Sequence, residues 1–307
     1  RNYHKRMAEA EEAYRTQKYR RYLMEKEKEI KTKYERNIRI WNENYQPSME
    51  RIAEIIRERK INLWERTAED CDFLEIRLGI GSKKFEAEIC HPEKKFQLYD
   101  DVLIEEAIAL GNKYKTLTHV PLTLPLLEKR TVGLFGVKSE IENMLRCIVF
   151  YIAALHSPED VKICMVCNEL QMRDMKWMKE LPHCWNASRT VRYLACGVSE
   201  TYSLFNDLDE MLLEREEILE KNEMRLPHLV VIVLDTVMVE DTPFYRYLID
   251  NGNRVGVSAV FAAEQFYNIP KESSAIIQTD RKVRGVYIKN ENDNRFLPFE
   301  TDRLSLE

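Results

Sequence analysis

The sequence predicts an α/β fold, a doubly wound parallel sheet with helices on both faces, preceded by a long helical stalk and a small α+β segment. Three observations carry this expectation. Between residues 130 and 290, short apolar runs alternate with helix-length amphipathic stretches. Those runs barely alternate polar with apolar residues, as strands buried on both faces of a parallel sheet do. The first 46 residues contain neither Pro nor Gly and are densely charged, the texture of one long helix.

Taken in order, apolar residues recur at Tyr3, Met7, Ala10 and Tyr14, then at Leu23, Ile30, Tyr34, Ile38, Trp41 and Tyr45. These three- and four-residue steps draw one seam along a helix of about 65–70 Å, at 1.5 Å per residue. A heptad seam of this coiled-coil kind needs a partner helix or a neighbouring subunit to cover it. Pro47 ends the helix. Ser48 is placed to cap a second one, with Met49, Ile52, Ile56, Ile61 and Leu63 on or near one face. Asp72–Gly79 alternates apolar with charged residues, a half-buried strand expected to pair with Phe85–Cys90 across a turn at 79–84. Residues 101–114 read as a helix, and Pro121 and Pro125 bracket an extended link.

In the body, strands are expected at Val132–Phe135, Val161–Cys167, Val191–Ala195, Leu229–Leu234, Ser258–Ala263 and Val283–Ile288. Helices are expected at Ser139–Leu155, Leu170–Lys179, Glu200–Lys221 and Pro243–Asn251. No repeat of 20–50 residues is evident. The expected domains are a stalk at 1–66, a small strand and helix subdomain at 67–118, and the main body at 119–307.

At 307 residues and 44% hydrophobic, the chain can bury a sizeable core. A net charge of -5 gives no general argument for nucleic acid, but the average hides a split. Residues 1–40 hold 13 Lys and Arg against 7 Asp and Glu, leaving 34 against 45 for the rest. A basic leading segment on an acidic body fits an arm beside an anionic membrane surface, and it equally fits a solvated helix face. No window reaches the roughly 18 consecutive apolar residues of a membrane span, and no signal peptide is visible. The first residue is Arg1 rather than Met, so the chain is expected to be a piece of a longer protein. Seven Cys, an odd number, suggest a reducing compartment rather than a disulfide framework. Cys164 and Cys167 have a metal-ligand spacing, but they lie in an apolar strand run whose two-residue period sends the thiols to opposite faces. His183-Cys184 adds no second spaced pair, so no metal site is expected.

The strongest chemical signal is a strand, turn and helix that follow the rhythm of a phosphate-binding loop. Such a loop, G-x-x-x-x-G-K-[ST], wraps phosphates in backbone N–H groups while its Lys reaches the outer ones. Here Gly133 and Gly136 are three apart rather than five, and Val137 stands before Lys138 where the motif needs Gly. A β-branched residue resists positive φ and blocks close backbone approach. The apolar run Leu229–Leu234 ends in Asp235, where a carboxylate holds Mg²⁺ in an NTPase. Thr236-Val237 follows it, so no second acid adjoins, and Glu240 is several residues away. Gly252-Asn253-Arg254 fits a surface turn better than a cation aimed at a neighbour's phosphates. No G-x-S-x-G elbow marks a nucleophile. His119, His156, His183 and His228 sit beside Pro or at element boundaries, as structural contacts do. No basic stripe with interleaved aromatics runs through the body, so no nucleic-acid partner is expected. The candidate site is therefore a vestigial nucleotide-binding set, Gly133, Gly136, Lys138, Ser139 and Asp235. No catalytic residue, metal ligand or bound cofactor is expected. The alternative is a weakly active NTPase or DNA translocase-type domain that takes ATP and Mg²⁺ at the altered loop.

Assembled in order, Leu63-Trp64-Glu65-Arg66, Asp72-Phe73-Leu74, Arg77-Leu78-Gly79-Ile80-Gly81, His119-Val120-Pro121-Leu122, Val132-Gly133-Leu134-Phe135-Gly136, Leu155-His156-Ser157-Pro158 and Leu181-Pro182-His183 resemble one family. It is the FtsK/SpoIIIE-type ATPase of bacterial type VII secretion, called EssC, YukB or EccC, in its membrane-proximal part. The resemblance covers nearly the whole chain and implies a RecA-like, P-loop-NTPase-type sheet. It implies that two transmembrane helices precede the stalk, that a degenerate ATPase domain follows, and that further ATPase domains come after it in tandem. Arg1 would then sit just inside the membrane, which accounts for the basic arm. The implied place is the cytoplasmic face of the cell membrane. The implied partners are the protein's own transmembrane and downstream ATPase domains, other membrane components of the secretion machine, and identical copies in a hexamer.

Overall fold

The computed structural model describes residues 2–42, 47–91, 101–217, 227–250, 254–280, 282–289 and 296–304. Tyr45, the end of the helix read to Lys221, Asn251, Gly252 and Asn253 lie outside the described residues. The helices, in chain order, are α1 (Asn2–Ile40), α2 (Met49–Glu58), α3 (Val102–Lys113), α4 (Leu126–Lys129), α5 (Lys138–Leu155), α6 (Glu169–Asp174), α7 (Gly197–Glu217) and α8 (Tyr245–Ile249). The strands are β1 (Glu75–Lys84), β2 (Thr116–Pro125), β3 (Thr131–Gly136), β4 (Val161–Cys167), β5 (Leu194–Cys196), β6 (His228–Val233), β7 (Val257–Ala263), β8 (Ala275–Thr279), β9 (Arg284–Ile288) and β10 (Phe296–Thr301). The chain divides into two compact units, Arg1–Gln46 with Gly81–Pro121 and Pro47–Ile80 with Leu122–Glu307.

In the first unit, the second half of α1 packs and the first half does not. Tyr34, Ile38 and Trp41 lie against a small core of Phe85, Leu117 and Val120. The Tyr34 ring meets Phe85 and Tyr114 edge-on at 5.6 and 5.3 Å, and its hydroxyl donates to the Thr116 carbonyl at 3.1 Å. Ion pairs Arg20–Glu106 (2.7 Å) and Lys113–Glu27 (2.6 Å) tie α1 to α3. The seam from Leu23 to Trp41 is thus covered by α3 and β2 of its own unit, while Tyr3, Met7 and Tyr14 stay exposed. Phe85–Cys90 forms no strand, which corrects the expected hairpin: β1 runs straight through 79–84 instead of turning.

In the second unit, Ser48 caps α2 as expected, accepting from the Arg51 N–H at 3.3 Å. The buried stripe is Met49, Ile52 and Ile55, seated on Cys147, Tyr151, Ala154 and Leu155. Ile56 and Ile61, expected on that face, are exposed. Arg59 in the left-handed conformation ends α2, so Ile61 falls outside the helical period. Strand order is β2-β1-β10-β9-β8-β3-β7-β6-β4-β5. From β8 through β3, β7, β6 and β4 to β5 all neighbours are parallel; β9 is antiparallel to β8 and β10. At Gly79, φ is +151°, and a Cβ there would lie 2.0 Å from the Glu300 carbonyl oxygen. This glycine serves close approach of two strands, not a turn.

Helices cover both faces of the parallel strands. On one face Val132, Leu134, Ile163 and Ile232 pack with Ile141, Leu145 and Ile148 of α5. On the other, Val166, Val231 and Phe261 pack with Phe205 and Leu208 of α7 and Tyr247 of α8. Cys167 belongs to the first core and Cys164 to the second, as a three-residue offset in a strand requires. Sequence reading misses β8 and β10: β8 has five residues, and Pro298 sits inside β10.

Candidate functional site

The link from β3 to α5 is one residue long. Gly136 ends the strand, Val137 is the N-cap, and Lys138 is already helical. Val137 has φ -74° and ψ 134°, and its carbonyl accepts from the Glu140 and Ile141 amides at 2.9 and 3.0 Å. A phosphate cradle needs several successive amides turned toward one point, and a single linking residue leaves no room for them. Val137 adopts ordinary extended backbone, not the positive φ that a β-branched residue resists.

The two glycines have packing roles. A Cβ on Gly133 would lie 2.3 Å from Ile269 Cγ2. Gly136 has φ +146°, and a Cβ there would lie 2.7 Å from both the backbone carbon and Oγ1 of Thr279 on β8. Ser139 is exposed in the first turn of α5.

Lys138 and Asp235 do come together. They line a cleft of about 430 Å³ at the carboxyl ends of the strands, with Glu142, Asn168, Gln171, Asp174 and Glu264. Asp235 reaches it because β6 runs parallel to β3 with only β7 between them. The Lys138 ammonium pairs with Asp174 at 2.8 Å and Glu142 at 3.6 Å. The hydrogen bond and charge of Asp174, then Glu142, raise its pKa above the ordinary lysine value. Asn168 and Gln171 form a reciprocal capping box on α6, and the Gln171 amide donates to the Leu234 carbonyl at 3.0 Å, bracing the cleft floor. Among the described residues that line the cleft are four carboxylates, Glu142, Asp174, Asp235 and Glu264, and one ammonium, Lys138, paired with the first two.

Sequence reasoning missed Glu142, Asp174 and Glu264. Glu142 was within reach as the i+4 neighbour of Lys138 on a helix. Asp174 arrives from the far end of α6, for which the sequence holds no local signal.

A second constellation joins several of the segments that carry the resemblance. The Trp64 amide donates to Ala154 and the Arg66 amide to Leu155, while the Trp64 indole donates to the Ala153 carbonyl at 3.0 Å. Arg66 pairs with Asp72 at 3.1 Å and lies over the Tyr151 ring. His156 Nε2 accepts from the Leu74 amide at 3.0 Å, and its Nδ1–H donates to Ile152 at 3.1 Å. His183 Nε2–H donates to the His156 carbonyl at 2.8 Å. These residues clamp segment 64–74 to the end of α5. Of the histidines read as structural, His119 is exposed, and the other three are buried in such bonds.

Parallel strands with helices on both faces, the loop strand β3 and the acid strand β6 flanking β7, make this an α/β protein with its cleft at the carboxyl ends of the strands. No family model matches the chain. Along 94% of its length it resembles the ESX secretion system protein EccC of Geobacillus thermodenitrificans, with 27% identity over 292 residues. It is also 22% identical over 292 residues to the ESX secretion system protein YukB of Bacillus subtilis, and 23% identical over 302 residues to the type VII secretion system protein EssC of Staphylococcus aureus. The chain spans only about a fifth of these relatives, 20%, 19% and 20% respectively. Among solved structures, EssC (ATPases 2 and 3) from Geobacillus thermodenitrificans aligns with a TM-score of 0.49 and 12% identity, over 81% of this chain and 48% of that one. Among the described residues no helix is long and apolar enough to cross a membrane.

Proposed function

We propose that this chain is a non-catalytic, ATPase-derived domain of a type VII secretion machine. It sits on the cytoplasmic face of the membrane and couples transmembrane segments of its own protein to downstream motor domains that power export. The observation that carries the reading is the one-residue link at Val137, which leaves nothing to wrap a triphosphate. The packing roles of Gly133 and Gly136 and the ion pairs of Lys138 support it. In this reading the domain holds no ATP or Mg²⁺, binds no nucleic acid, and assembles as a hexamer with other membrane components of the machine.

A weakly active NTPase is the second reading, and it draws on one observation: Lys138 and Asp235 line the same cleft. Thermal denaturation with increasing Mg²⁺-ATP separates the two. Occupancy at about 100 Kd would add about 2.7 kcal/mol of stability. The expected result is no saturable shift at millimolar nucleotide. A saturable shift that Lys138→Ala abolishes would replace the first reading with the second.

A further inference from the structure

At its carboxyl end β4 lies beside β5, with Met165 opposite Leu194, Val166 opposite Ala195 and Cys167 opposite Cys196. Residues in register on neighbouring strands have Cα atoms about 4.8 Å apart and side chains on one face. Met165 and Leu194 both belong to the core beneath α5, and Val166 and Ala195 both belong to the core beneath α7. The two-residue period then sends Cys167 and Cys196 together to the α5 side. Cys167 does lie in that core, and its thiol donates to the Ala195 carbonyl at 3.8 Å, beside the peptide bond that leads into Cys196. Cysteines joined by a disulfide have Cα atoms about 4.4–6.8 Å apart, so this register brings the pair within bonding range.

The two thiols differ in access. Cys167 is fully buried, whereas Cys196 is half-buried, at the last position of a three-residue strand on the edge of the sheet. Gly197 follows at φ +81°, and a Cβ built on it would meet no atom within 4 Å, so the approach to Cys196 is open. Glu200 Oε2 accepts from the Cys196 amide at 2.8 Å. Burial first, then the Glu200 and Glu169 charges, raises the Cys196 thiol above its ordinary pKa, and burial first pushes Cys167 up to about 12. Both sulfurs therefore hold their protons at neutral pH, which makes attack slow and makes the pair, once joined, a poor leaving group for reduction. Among the described residues no group of three or more His, Cys, Asp or Glu is placed to hold a metal ion, so the chemistry open to the pair is thiol–disulfide exchange.

We propose that Cys167 and Cys196 form an oxidisable dithiol that reacts with a low-molecular-weight disulfide, Cys196 entering first and Cys167 resolving. The Cys196 thiolate attacks one sulfur of the small disulfide, forms a mixed disulfide and expels one thiolate, which takes up the proton that Cys196 released. Cys167 then gives up its proton and displaces the second thiolate. Two protein thiols are oxidised to one disulfide and one small disulfide is reduced to two thiols. The new bond ties the start of α7 to Asn168, the N-cap of α6 and part of the cleft wall. This chemistry is independent of whether the cleft takes nucleotide.

The test incubates the reduced 307-residue protein with oxidised glutathione, quenches it by denaturation with an alkylating agent, and maps the peptides by mass spectrometry. Wild type is expected to yield peptides joined through Cys167 and Cys196 that dithiothreitol separates, while the exposed Cys71 and Cys90 carry glutathione. In Cys167→Ala the reaction should stop with glutathione on Cys196, and in Cys196→Ser the buried Cys167 should stay unmodified until the quench. The initial rate of cross-linking should rise about tenfold per pH unit through neutral pH, as the thiolate fraction of Cys196 does. The cross-link is read first on wild type, so poor folding of either variant does not remove the test. Alkylated Cys167 and Cys196 at an oxidant concentration that has fully converted Cys71, or a link between any other pair of cysteines, overturns the proposal. Glutathione on Cys167 in the Cys196→Ser variant, or a rate that does not rise with pH, overturns Cys196 as the entering thiol.

Discussion

Gly136 and Lys138 show how residues with a binding motif's identity are spent on other contacts. Gly136 combines a positive φ with a Thr279 backbone too close for any Cβ. Gly136→Ala is expected to cost about 2–4 kcal/mol, combining backbone strain and overpacking. Gly133 meets side chains rather than backbone, the Ile269 Cγ2 methyl at 2.3 Å and Ser273 Oγ at 3.5 Å, so Gly133→Ala should cost less, about 1–2 kcal/mol. Urea unfolding of the two variants checks this order, and a larger loss at Gly133 would contradict it. The Lys138 side chain is more than half exposed in its ion pairs, so Lys138→Ala should move stability by no more than about 0.5 kcal/mol. A nucleotide titration of that variant is therefore read without a folding defect behind it.

At the level of α1, one helix behaves as two. From Arg20 onward it is held by ion pairs and by the aromatic contacts of Tyr34, whereas Tyr14 touches no core. Tyr34→Ala is expected to destabilise the first unit by about 2–3 kcal/mol, and Tyr14→Ala to stay within about 0.5 kcal/mol. Thermal unfolding followed by circular dichroism reads both, and equal effects would show that the seam is covered along its whole length. A fragment of residues 1–66 leaves α3 and β2 behind, so it should be only partly helical. A fully helical monomer in sedimentation and circular dichroism would count against that.

For the whole molecule, three buried histidines set an acid limit on the fold. Burial, before any other cause, lowers His156 to about 3, His183 to about 4 and His228 to about 3. An unfolded chain protonates all three near 6.5. Their folded values are depressed, so the unfolded state binds more protons as pH falls below 6.5. The stability they contribute is intact above that pH and is lost on the way down toward pH 4 and 3. Three protons give a slope of at most about 4 kcal/mol per pH unit. Urea midpoints between pH 7.5 and 4.5 should fall accordingly. His156→Gln, which retains a donor and an acceptor, should flatten the curve by about a third of that slope. An unchanged slope would show that His156 does not titrate across this window.

Periodicity and composition were sufficient for the α/β class and for α3, β3, β4, β6, β7 and β9 within a residue or two, and for the start of α2, which ends at Glu58 before the Ile61 and Leu63 read onto its face. Each of these elements has an apolar pattern that repeats over its own length, and burial of that pattern is a local property of the chain. Chain order alone also placed Lys138 and Asp235 at the ends of two strands. The one-residue link at Val137, the capture of Lys138 by Asp174, and the conversion of two motif glycines into strand-packing contacts were not readable that way. They depend on distances between residues up to 144 positions apart, as between Phe135 and Thr279, and such distances are fixed by how strands are ordered in the sheet. A linear pattern records which side a residue faces. It does not record which neighbour waits there.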